Sequence, residues 1–279
     1  MDAALIGIDV GGTSLKGGLV LNGKLVKKAS VPVNQSDSVE TILSKISEII
    51  NTLGIDGAKG IGIGVPGLVD DVTGIVFDIF NIPALKEVNL KTQLEKSTGL
   101  PVFINNDANC FALGEKYFGK GKPFRHFAGV TLGTGLGVGL VANHHLYSGK
   151  LCGAGEIGTL PYKNGIMEDY TASFFFKNHY NTTGEALFEA ALKGDTVALE
   201  AFENFGNYLG EAMLLVLYAY APEAIIFGGS ISKAFPFFEN SLRNTLNNFA
   251  FKRQLETLQL LVSNTNDSGI LGAAALCLD

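Results

Sequence analysis

The sequence predicts an α/β fold of two lobes that share one plan and flank a central cleft. The main observation is a pair of similar glycine-rich turns far apart in the chain, Gly11-Gly12-Thr13 and Gly133-Thr134-Gly135. Each turn joins two short apolar runs, and alternating helix and strand patterns follow each pair of runs. This repeated order predicts a duplication. Because successive backbone N–H groups in such turns suit anions, we expect the two turns to hold a polyphosphate from both sides.

Composition narrows the class of protein. The 279 residues are 47% hydrophobic and 17% charged, which predicts a globular chain with a sizeable core. The net charge of −6 argues against binding to nucleic acid or to an anionic membrane surface. The apolar runs are too short to span a membrane, no signal peptide is visible, and the three cysteines are scattered. We therefore expect a cytoplasmic protein with reduced thiols.

The first half of the chain contains a strand, a glycine turn, a hairpin and then alternating helices and strands. Asn22-Gly23 predicts a tight turn between two strands, and Asp37 and Glu40 have the spacing of a capping box before an amphipathic helix that Gly54 closes. The predicted strands are 5–10, 17–21, 24–33, 60–65 and 102–105, and the predicted helices are 39–53, 90–98 and one from Asp107.

The second half repeats this order. The predicted strands are 127–132, 136–142, 224–227 and 258–262, and the predicted helices are 169–178, 185–192, 198–220, one after Ser230 and one from about Ser268. Gly119, Gly121 and Pro123 mark a boundary near 112–122. We therefore predict an N-terminal lobe, 1–115, with the first phosphate turn, and a C-terminal lobe, 116–279, with the second. The last helix is expected to pack back on the N-terminal lobe.

Asp9 stands in an apolar strand directly before the first glycine turn. A carboxylate buried there needs a positive partner, and Mg²⁺ on nucleotide phosphates is the simplest one, although Asp9 could also cap its own turn. A third glycine turn, Gly228-Gly229-Ser230, ends an apolar strand and opens a helix. Free N–H groups at such a helix start suit a nucleotide ribose or phosphate, but the turn alone is an ordinary strand-to-helix connection.

The segment Asn105-Asn106-Asp107-Ala108-Asn109 ends one strand and opens a helix. Asp107 could serve there as the helix N-cap. Alternatively, Asp107 is a general base for a substrate hydroxyl, and Asn106 orients that substrate.

Two carboxylates lie in loops of the second half. Glu156 stands among small residues in Gly153–Thr159, and Glu168 follows soon after. A pair of carboxylates at a cleft could accept hydrogen bonds from a polyol or serve glycoside hydrolysis, while Glu168 could also be a solvated surface residue. Asn81, before Ile82-Pro83, predicts no more than a turn when taken alone.

Together these motifs resemble the ROK family of sugar kinases and related repressors, within the actin-like ATPase (ribonuclease H-like) superfold. The resemblance covers nearly the whole chain and rests on elements in the family's order: Asp9-x-Gly-Gly-Thr-x-x-Lys16, Gly64-Val65-Pro66-Gly67, Asn106-Asp107-Ala108-Asn109, Gly133-Thr134-Gly135, Gly155-Glu156-Ile157-Gly158 and Gly228-Gly229. It implies transfer of the γ-phosphoryl group of Mg-ATP to a sugar hydroxyl, usually the 6-OH of a hexose, with closure of the cleft on binding.

The resemblance also implies roles for individual residues. Asp107 is then the general base, and Asp9 binds Mg²⁺ through water. The implied ATP and phosphate contacts are Asp9, Gly11, Gly12, Thr13, Lys16, Gly133, Thr134, Gly135, Gly228 and Gly229. The implied sugar contacts are Pro66, Gly67, Asn81, Asn106, Asp107, Glu156, Thr159 and Glu168.

One loop departs from the family pattern. Many members carry a histidine directly after the Gly-Glu-x-Gly element and a cysteine cluster shortly beyond it, which jointly hold a structural zinc. Here Thr159 stands at the histidine position and no cysteine precedes Glu168 in this loop, so we predict that zinc is not bound. We expect packing by Tyr162, Met167 and Tyr170 to hold the loop instead.

The expected function is that of a hexose kinase with glucose as the default substrate. N-acetylmannosamine, N-acetylglucosamine and fructose remain alternatives, as does a non-catalytic sugar-binding or regulatory member of the family. A sugar-responsive repressor is a further class, but the chain begins at its first strand without a helix-turn-helix and is acidic. We expect a sugar and a nucleotide as ligands, no nucleic acid or membrane partner, and a homodimer.

Overall fold

The computed structural model describes residues 4–77, 79, 82 and 84–279. The chain forms two compact units. Unit 1 comprises Met1–Pro123, Gly139–Ala154 and Asn264–Asp279, and unit 2 comprises Phe124–Val138 and Gly155–Ser263. These units are defined by contacts, and the predicted lobes, 1–115 and 116–279, stay a prediction.

The secondary structure follows most of the predicted elements. The strands are β1 Ala4–Val10, β2 Ser14–Leu21, β3 Lys24–Pro32, β4 Ala58–Val65, β5 Leu68–Asp70, β6 Ile75–Phe77, β7 Glu87–Asn89, β8 Val102–Asn106, β9 Phe127–Leu132, β10 Leu136–Ala142, β11 His145–Leu146, β12 Pro161–Tyr162, β13 Gly165–Ile166, β14 Ala224–Gly228 and β15 Gln259–Val262. The α-helices are α1 Val39–Leu53, α2 Leu90–Thr98, α3 Asp107–Tyr117, α4 Glu168–Thr171, α5 Ser173–Tyr180, α6 Gly184–Ala191, α7 Thr196–Tyr220, α8 Phe235–Leu246, α9 Lys252–Thr257 and α10 Ser268–Ala275. Short 3₁₀ helices lie at Lys150–Cys152, Ile157–Thr159 and Ile231–Ala234.

A five-stranded sheet with the order β3-β2-β1-β4-β8 organises unit 1. β1 is antiparallel to β2 and parallel to β4, and β4 is parallel to β8. The apolar side chains of β1 and β4 are fully buried, as is the apolar face that α1 presents with Ile42, Ile46 and Ile49. Because β1, β4 and β8 run in one direction, their carboxyl ends meet at one edge of the sheet.

Helix α10, at the end of the chain, packs in close contact with the same sheet. A Cβ at Gly7 would lie 2.0 Å from the Ile270 carbonyl oxygen, and a Cβ at Gly62 would lie 1.8 Å from that of Ala273. Only glycine allows the helix backbone to approach β1 and β4 this closely.

A second five-stranded sheet has the order β11-β10-β9-β14-β15, and β14 is parallel to both β9 and β15. In unit 2 the long helix α7 buries one face with Phe202 and Phe205, while apolar side chains elsewhere on it, such as Val197 and Tyr218, are exposed. Phe205 packs against Phe176 at 5.2 Å between ring centroids and against Phe238 at 5.3 Å. These ring pairs form the apolar centre of unit 2.

The glycine-rich segment after α3 is held by the buried side chain of Glu115, which is 0% exposed. Glu115 Oε2 accepts the Lys120 N–H at 2.9 Å, and the Glu115 carbonyl accepts the Gly121 N–H at 3.0 Å. Hydrogen bonding therefore orders this segment within unit 1.

Two local predictions differ from the structure, and one small sheet was not predicted. The single helix predicted over 169–178 is two helices, α4 and α5, because Ala172 is extended (φ −135°, ψ −168°) and Ser173 donates its N–H to the Gly133 carbonyl. The N-cap of α1 is Ser38 rather than Asp37, whose carboxylate binds the Asn34 N–H and Lys45. The antiparallel β5–β6–β7 sheet was not predicted, because strands of three residues carry little periodicity.

No helix within the described ranges is both long enough and apolar enough to cross a membrane.

Candidate active site

Polar and glycine residues collect at the carboxyl edge of β1, β4 and β8 in unit 1. The register pairs Asp9 with Gly64 and Gly64 with Asn105. Asp9 and the Asn105-Asn106-Asp107 segment therefore lie on opposite sides of β4, which separates them. The Gly11-Gly12-Thr13 turn follows β1 at this edge, and the Gly11 N–H donates to the Ser14 carbonyl at 3.0 Å. The sheet thus places the first predicted phosphate turn and the predicted base on one edge, with β4 between them.

Asp9 is a largely buried carboxylate at this edge. Its pKa is raised by burial, and the positive charge of Lys16, which pairs with Asp9 across β1 and β2, partly opposes that rise. The carboxylate lies against the first turn of α10, where a Cβ at Gly269 would be 2.6 Å from Asp9 Oδ2. A desolvated carboxylate of this kind favours a positively charged ligand.

Asn106, not Asp107, is the N-cap of α3. Asn106 is 5% exposed, and its Oδ1 accepts the N–H groups of Ala108 at 2.9 Å and Asn109 at 3.4 Å. Its Nδ2 donates to the Gly67 carbonyl at 3.2 Å and so ties α3 to the Pro66-Gly67 turn. Asp107, which follows, is exposed, and its Oδ1 accepts the Ala108 N–H at 2.8 Å.

The side chains of Asp9 and Asp107 both act on one buried thiol. Burial raises the pKa of Cys110 well above its ordinary value, and the negative charges of Asp107 and then Asp9 raise it further. Two carboxylates that influence the same thiol share one small region of unit 1.

A buried amide network behind Asp107 was not predicted as part of the site. Asn109 Nδ2 donates to Asn105 Oδ1 at 2.9 Å and to the Cys152 carbonyl at 3.2 Å, and Asn105 Nδ2 donates to Ser148 Oγ at 3.2 Å. The network joins the start of α3 to residues 148–152. Its asparagines were visible in the sequence, but their partners Ser148 and Cys152 lie 43 residues further along the chain.

In unit 2 the second and third glycine turns lie side by side. Gly228 pairs with Thr131 in the β9–β14 register, and a Cβ at Gly229 would lie 2.3 Å from the Leu132 carbonyl oxygen. Gly229 also has a φ of +83°, which favours glycine. The Gly133-Thr134-Gly135 turn starts directly after this contact, and Thr134 is exposed. Parallel pairing of β9 and β14 therefore brings the two turns together.

Glu156 and Glu168 are close to each other and to the second turn. Burial raises the pKa of Glu156, and the negative charge of Glu168 raises it further. The pKa of Glu168 is also raised by burial, while the Leu136 N–H, 3.4 Å from Glu168 Oε2, lowers it. Glu168 Oε2 lies against Gly135, whose Cβ would be 2.7 Å away. Glu168 is thus half-buried and not a freely solvated side chain.

Thr159 ends the 3₁₀ helix that Glu156 precedes, and its side chain is exposed. Its hydroxyl donates to the Glu156 carbonyl oxygen at 2.8 Å and therefore stabilises the loop around Glu156. Beyond Thr159, Tyr162 and Tyr170 pack edge to face at 5.2 Å between centroids, as expected for a loop held by packing.

A cavity of about 270 Å³ opens beside the third glycine turn in unit 2. Ser230, Ile231 and Lys233 line one side, and Gly184, Glu185 and Phe188 of the α6 region line another. An aromatic ring and mixed polar groups in a concave site are typical of a small-molecule pocket.

The predicted site residues fall into two sets. Unit 1 contains Asp9, Gly11, Gly12, Thr13, Lys16, Pro66, Gly67, Asn106 and Asp107, and unit 2 contains Gly133, Thr134, Gly135, Glu156, Thr159, Glu168, Gly228 and Gly229. Asn81 lies outside the described residues. The described ranges contain no group of three or more His, Cys, Asp or Glu side chains placed to hold a metal ion.

Comparison with known proteins identifies similar chains along nearly the full length. The model of the ROK family matches residues 5–279. The glucokinase of Thermotoga maritima is 32% identical over 98% of this chain and 96% of its own length. A β-glucoside kinase of Klebsiella pneumoniae is 30% identical over 95% and 93%. The xylose repressor of Bacillus subtilis is 29% identical over 98% of this chain but only 77% of its own length.

Solved structures extend the likeness to three dimensions. A putative sugar kinase from Cytophaga hutchinsonii superposes with a TM-score of 0.89 at 27% identity and covers 99% of this chain and 100% of that one. A ROK family glucokinase from Streptomyces griseus, in complex with glucose and AMPPNP, has a TM-score of 0.84 at 26% identity and covers 98% and 99%. The predicted actin-like ATPase fold class is thereby confirmed.

Proposed function

The chain belongs to the ROK family, and on that premise we propose that it is an ATP-dependent hexose kinase with Asp107 as general base. Its kinship with sugar kinases is shown by glucokinase and β-glucoside kinase relatives at about 30% identity. The proposal concerns the substrate, glucose or a related hexose phosphorylated at its 6-OH, and the residues that act on it.

The observation that carries the proposal is the placement of Asp107 at the edge of the first sheet. Asn106 is the N-cap of α3, and Asp107 accepts the N–H of its own neighbour Ala108 through Oδ1. Asp107 is exposed one strand away from β4 and two from β1, whose glycine turn is the proposed phosphate cradle. A base and a phosphate site on one sheet edge suit phosphoryl transfer, which needs positioning, charge neutralisation and a proton acceptor.

In the proposed reaction Asp107 accepts the proton of the sugar hydroxyl while the oxygen of that hydroxyl attacks the γ-phosphorus of ATP. The new bond joins that oxygen to the phosphoryl group, the bond from phosphorus to the β–γ bridging oxygen breaks, and ADP leaves with the bond's electrons. Asn106, Glu156 and Glu168 orient sugar hydroxyls as acceptors and donors of hydrogen bonds. Asn81, Pro66, Gly67 and Thr159 complete the proposed sugar contacts.

Mg-ATP suits the residues present in unit 1. The half-buried Asp9 carboxylate, whose pKa is raised by desolvation, favours a cation, and Asp9 would hold Mg²⁺ through water. When bound, Mg²⁺ neutralises phosphate charge. Gly11, Gly12, Thr13 and Lys16 would contact the phosphates from the same edge, and Gly133, Thr134 and Gly135 would do so from unit 2.

We assign the adenosine of ATP to the cavity beside Gly228-Gly229-Ser230. Phe188 offers a ring face for a base, and Ser230 and Lys233 offer polar groups for the ribose or a phosphate. The predicted Mg²⁺ requirement, homodimer and cytoplasmic location stay predictions.

The test is sugar-dependent ADP release from Mg-ATP across hexoses, N-acetylhexosamines and their epimers. One strongly preferred hexose, with release that depends on both substrates, is the expected result. ADP release that no sugar stimulates, while a thermal shift still reports sugar binding, would favour a non-catalytic sugar-binding member instead.

A β-glucoside is a second candidate substrate. The identity of 30% to the Klebsiella pneumoniae β-glucoside kinase, over 95% of this chain, favours including it. Cellobiose and an aryl β-glucoside belong in the panel, and a higher kcat/KM for either than for glucose would select this candidate.

N-acetylmannosamine and N-acetylglucosamine remain alternative substrates, and a sugar-responsive regulator remains an alternative class. The xylose repressor relative supports the latter, although this chain spans only 77% of that protein. Sugar-dependent ATP turnover separates a kinase from a regulator.

A further inference from the structure

Four aromatic or charged side chains and one acidic partner attach the loop after Glu156 to the long helix α7. We call them the tyrosine cluster: Tyr162, Lys163, Tyr170, Tyr208 and Glu211. The Lys163 Nζ atom lies 4.1 Å from the ring centroid of Tyr208 and 5.4 Å from those of Tyr162 and Tyr170. An ammonium group over several ring faces is attracted by their negative electrostatic potential.

The tyrosine cluster joins three elements of unit 2. Tyr162 belongs to the β12–β13 hairpin, Tyr170 to α4, and Tyr208 and Glu211 to α7. Tyr170 packs against Tyr208 at 5.2 Å between centroids, with 61° between the ring planes. The Tyr162 hydroxyl donates to Glu211 Oε2 at 2.5 Å, and burial together with this carboxylate raises the pKa of Tyr162. The loop is therefore linked to α7 by ring contacts and by one hydrogen bond.

Lys163 adopts a backbone conformation that lysine rarely takes. Its φ is +49°, in the left-handed region that favours glycine or asparagine. The side chain is exposed, and its Nζ atom lies over the three rings. An unfavourable backbone angle is retained where surrounding contacts compensate for it, which separates Lys163 from an ordinary surface lysine.

The hairpin is connected directly to Glu168. The Met167 N–H donates to the Leu160 carbonyl at 2.9 Å, and the Ile166 N–H donates to Asp169 Oδ2 at 2.9 Å. Glu168 stands in the chain between Met167 and Asp169, which make these two hydrogen bonds, and its own Oε2 accepts the Leu136 N–H. A displacement of the hairpin would consequently displace Glu168, and with it the charge that acts on Glu156.

We propose that the tyrosine cluster positions Glu156 and Glu168 for a sugar ligand and thereby sets sugar affinity. The proposal rests on the proposed function, because it takes the sugar to be the ligand of these carboxylates. Its members are positioning residues that act through the loop.

The main test variant is Lys163→Met, which keeps the long apolar stem and removes the charge. Lys163→Arg is the conservative rescue, since a guanidinium also stacks on aromatic rings. Lys177→Met, at an exposed lysine in α5, is the matched control for loss of one positive charge. Tyr162→Phe removes only the hydroxyl that binds Glu211 and keeps the ring.

Two measurements are made on each full-length variant. Hydrogen–deuterium exchange without any ligand follows the amides of 157–170, and steady-state kinetics separate the KM for sugar from the KM for ATP and from kcat. For Lys163→Met we expect faster exchange in 157–170 and a rise in sugar KM of about 5- to 10-fold, in line with the loss of the exposed cation–π contacts of one ammonium group. For Lys163→Met we expect the KM for ATP and kcat to stay within about twofold of the wild type. Lys163→Arg should restore the sugar KM, and Lys177→Met should resemble the wild type.

Unchanged exchange in Lys163→Met and Tyr162→Phe would overturn the proposal, and so would faster exchange with an unchanged sugar KM. A larger fall in kcat than rise in sugar KM would also overturn it, because positioning for binding predicts the opposite split. If the wild type phosphorylates no sugar, calorimetric sugar Kd replaces KM in the same comparison. A wild type that binds no sugar removes the proposed function, while the exchange data still report separately whether the tyrosine cluster holds the loop.

Discussion

At the scale of single residues, Asn106 and Asp107 at the end of β8 differ in burial and in the contacts they make. Asn106 is buried, caps α3 and holds the Pro66-Gly67 turn through its amide. Asp107 follows at the exposed position on the same edge as Asp9. The uncharged Asn106 amide caps the helix, and the Asp107 carboxylate, which also accepts the Ala108 N–H, stays exposed and so carries little desolvation cost.

The first prediction concerns Asp107→Asn. The amide keeps the size of the side chain but cannot accept a proton, so we expect kcat to fall by roughly 10²–10⁴-fold with little change in Tm. Steady-state ADP release and thermal unfolding measure the two effects. Asp56→Asn, an exposed aspartate in the turn before β4, is the control for removal of one carboxylate. An Asp107→Asn enzyme with more than about a tenth of wild-type kcat would exclude Asp107 as the base.

The second prediction concerns the stability cost of Glu168. Burial raises its folded-state pKa, so the protonated form is favoured in the folded protein and the ionised form at neutral pH is unfavourable. The contribution of protonated Glu168 to the stability of the folded protein is fully present below pH 4.5, the ordinary pKa of a glutamate, and is lost as pH rises through the raised pKa. Glu168→Gln should therefore raise Tm at pH 7, and this advantage should disappear at pH 4.

Thermal unfolding of both proteins from pH 4 to pH 8 measures this difference. The same variant should bind sugar more weakly, since Glu168 is a proposed sugar contact. A Glu168→Gln protein that is less stable than the wild type at pH 7 would show that the Leu136 hydrogen bond outweighs the cost of burial.

At the scale of elements, backbone approach decides how α10 joins the first sheet. Gly7 and Gly62 lie on adjacent parallel strands, and both face the backbone of α10 at distances that exclude a Cβ. The pair forms a flat surface that a helix rich in alanine can cover closely. The same sheet edge then carries Asp9 against the first turn of the helix.

The third prediction compares two glycine-to-alanine variants. Gly62→Ala places a Cβ 1.8 Å from a backbone oxygen, so α10 must move, and we expect a loss of at least the roughly 1–3 kcal/mol typical of overpacking. At Gly133 no heavy atom lies within 4 Å of an added Cβ, so Gly133→Ala should keep its stability. As a proposed phosphate contact, Gly133→Ala should instead raise the KM for ATP.

Urea unfolding midpoints and ATP kinetics test this pair. Equal midpoints for Gly62→Ala and the wild type would show that α10 is not packed as the structure has it. An unchanged ATP KM in Gly133→Ala would count against the second phosphate turn.

At the scale of the whole molecule, the three cysteines are structural. All three thiols are free, and Cys110 and Cys152 are buried. Burial raises the pKa of Cys152 and of Cys277 to about 12, and that of Cys110 well above its ordinary value. Thiolate is the reactive form, so the folded protein should present almost none of it at neutral pH.

The fourth prediction is that thiol labelling reports unfolding of the molecule. At pH 8 the native thiols should react with a disulfide reagent at least about 100-fold more slowly than the added thiol of Ser36→Cys, an exposed position. In denaturant all three should react at the rate of a peptide thiol. Rapid labelling of one native cysteine would identify a part of the fold that opens locally.

The sequence by itself determined the fold class, most strands and helices, and the glycine turns. These features depend on local periodicity and on the backbone angles of tight turns, both of which a short stretch of chain specifies. The Gly-Gly-Thr and Gly-Thr-Gly turns and the amphipathic face of α1 are visible in short stretches of sequence, without knowledge of what they pack against. The family resemblance supplied the rest of the proposed site.

Only the tertiary structure decided which of several competent side chains performs each local task. Ser38 and Asn106 are the caps, although Asp37 and Asp107 have suitable chemistry, because Lys45 binds the first aspartate and the sheet edge exposes the second. The break at Ala172 depends on the Gly133 carbonyl, and the tyrosine cluster joins Tyr162 to Glu211 across 49 residues. Such choices depend on groups distant in sequence, which no local pattern contains.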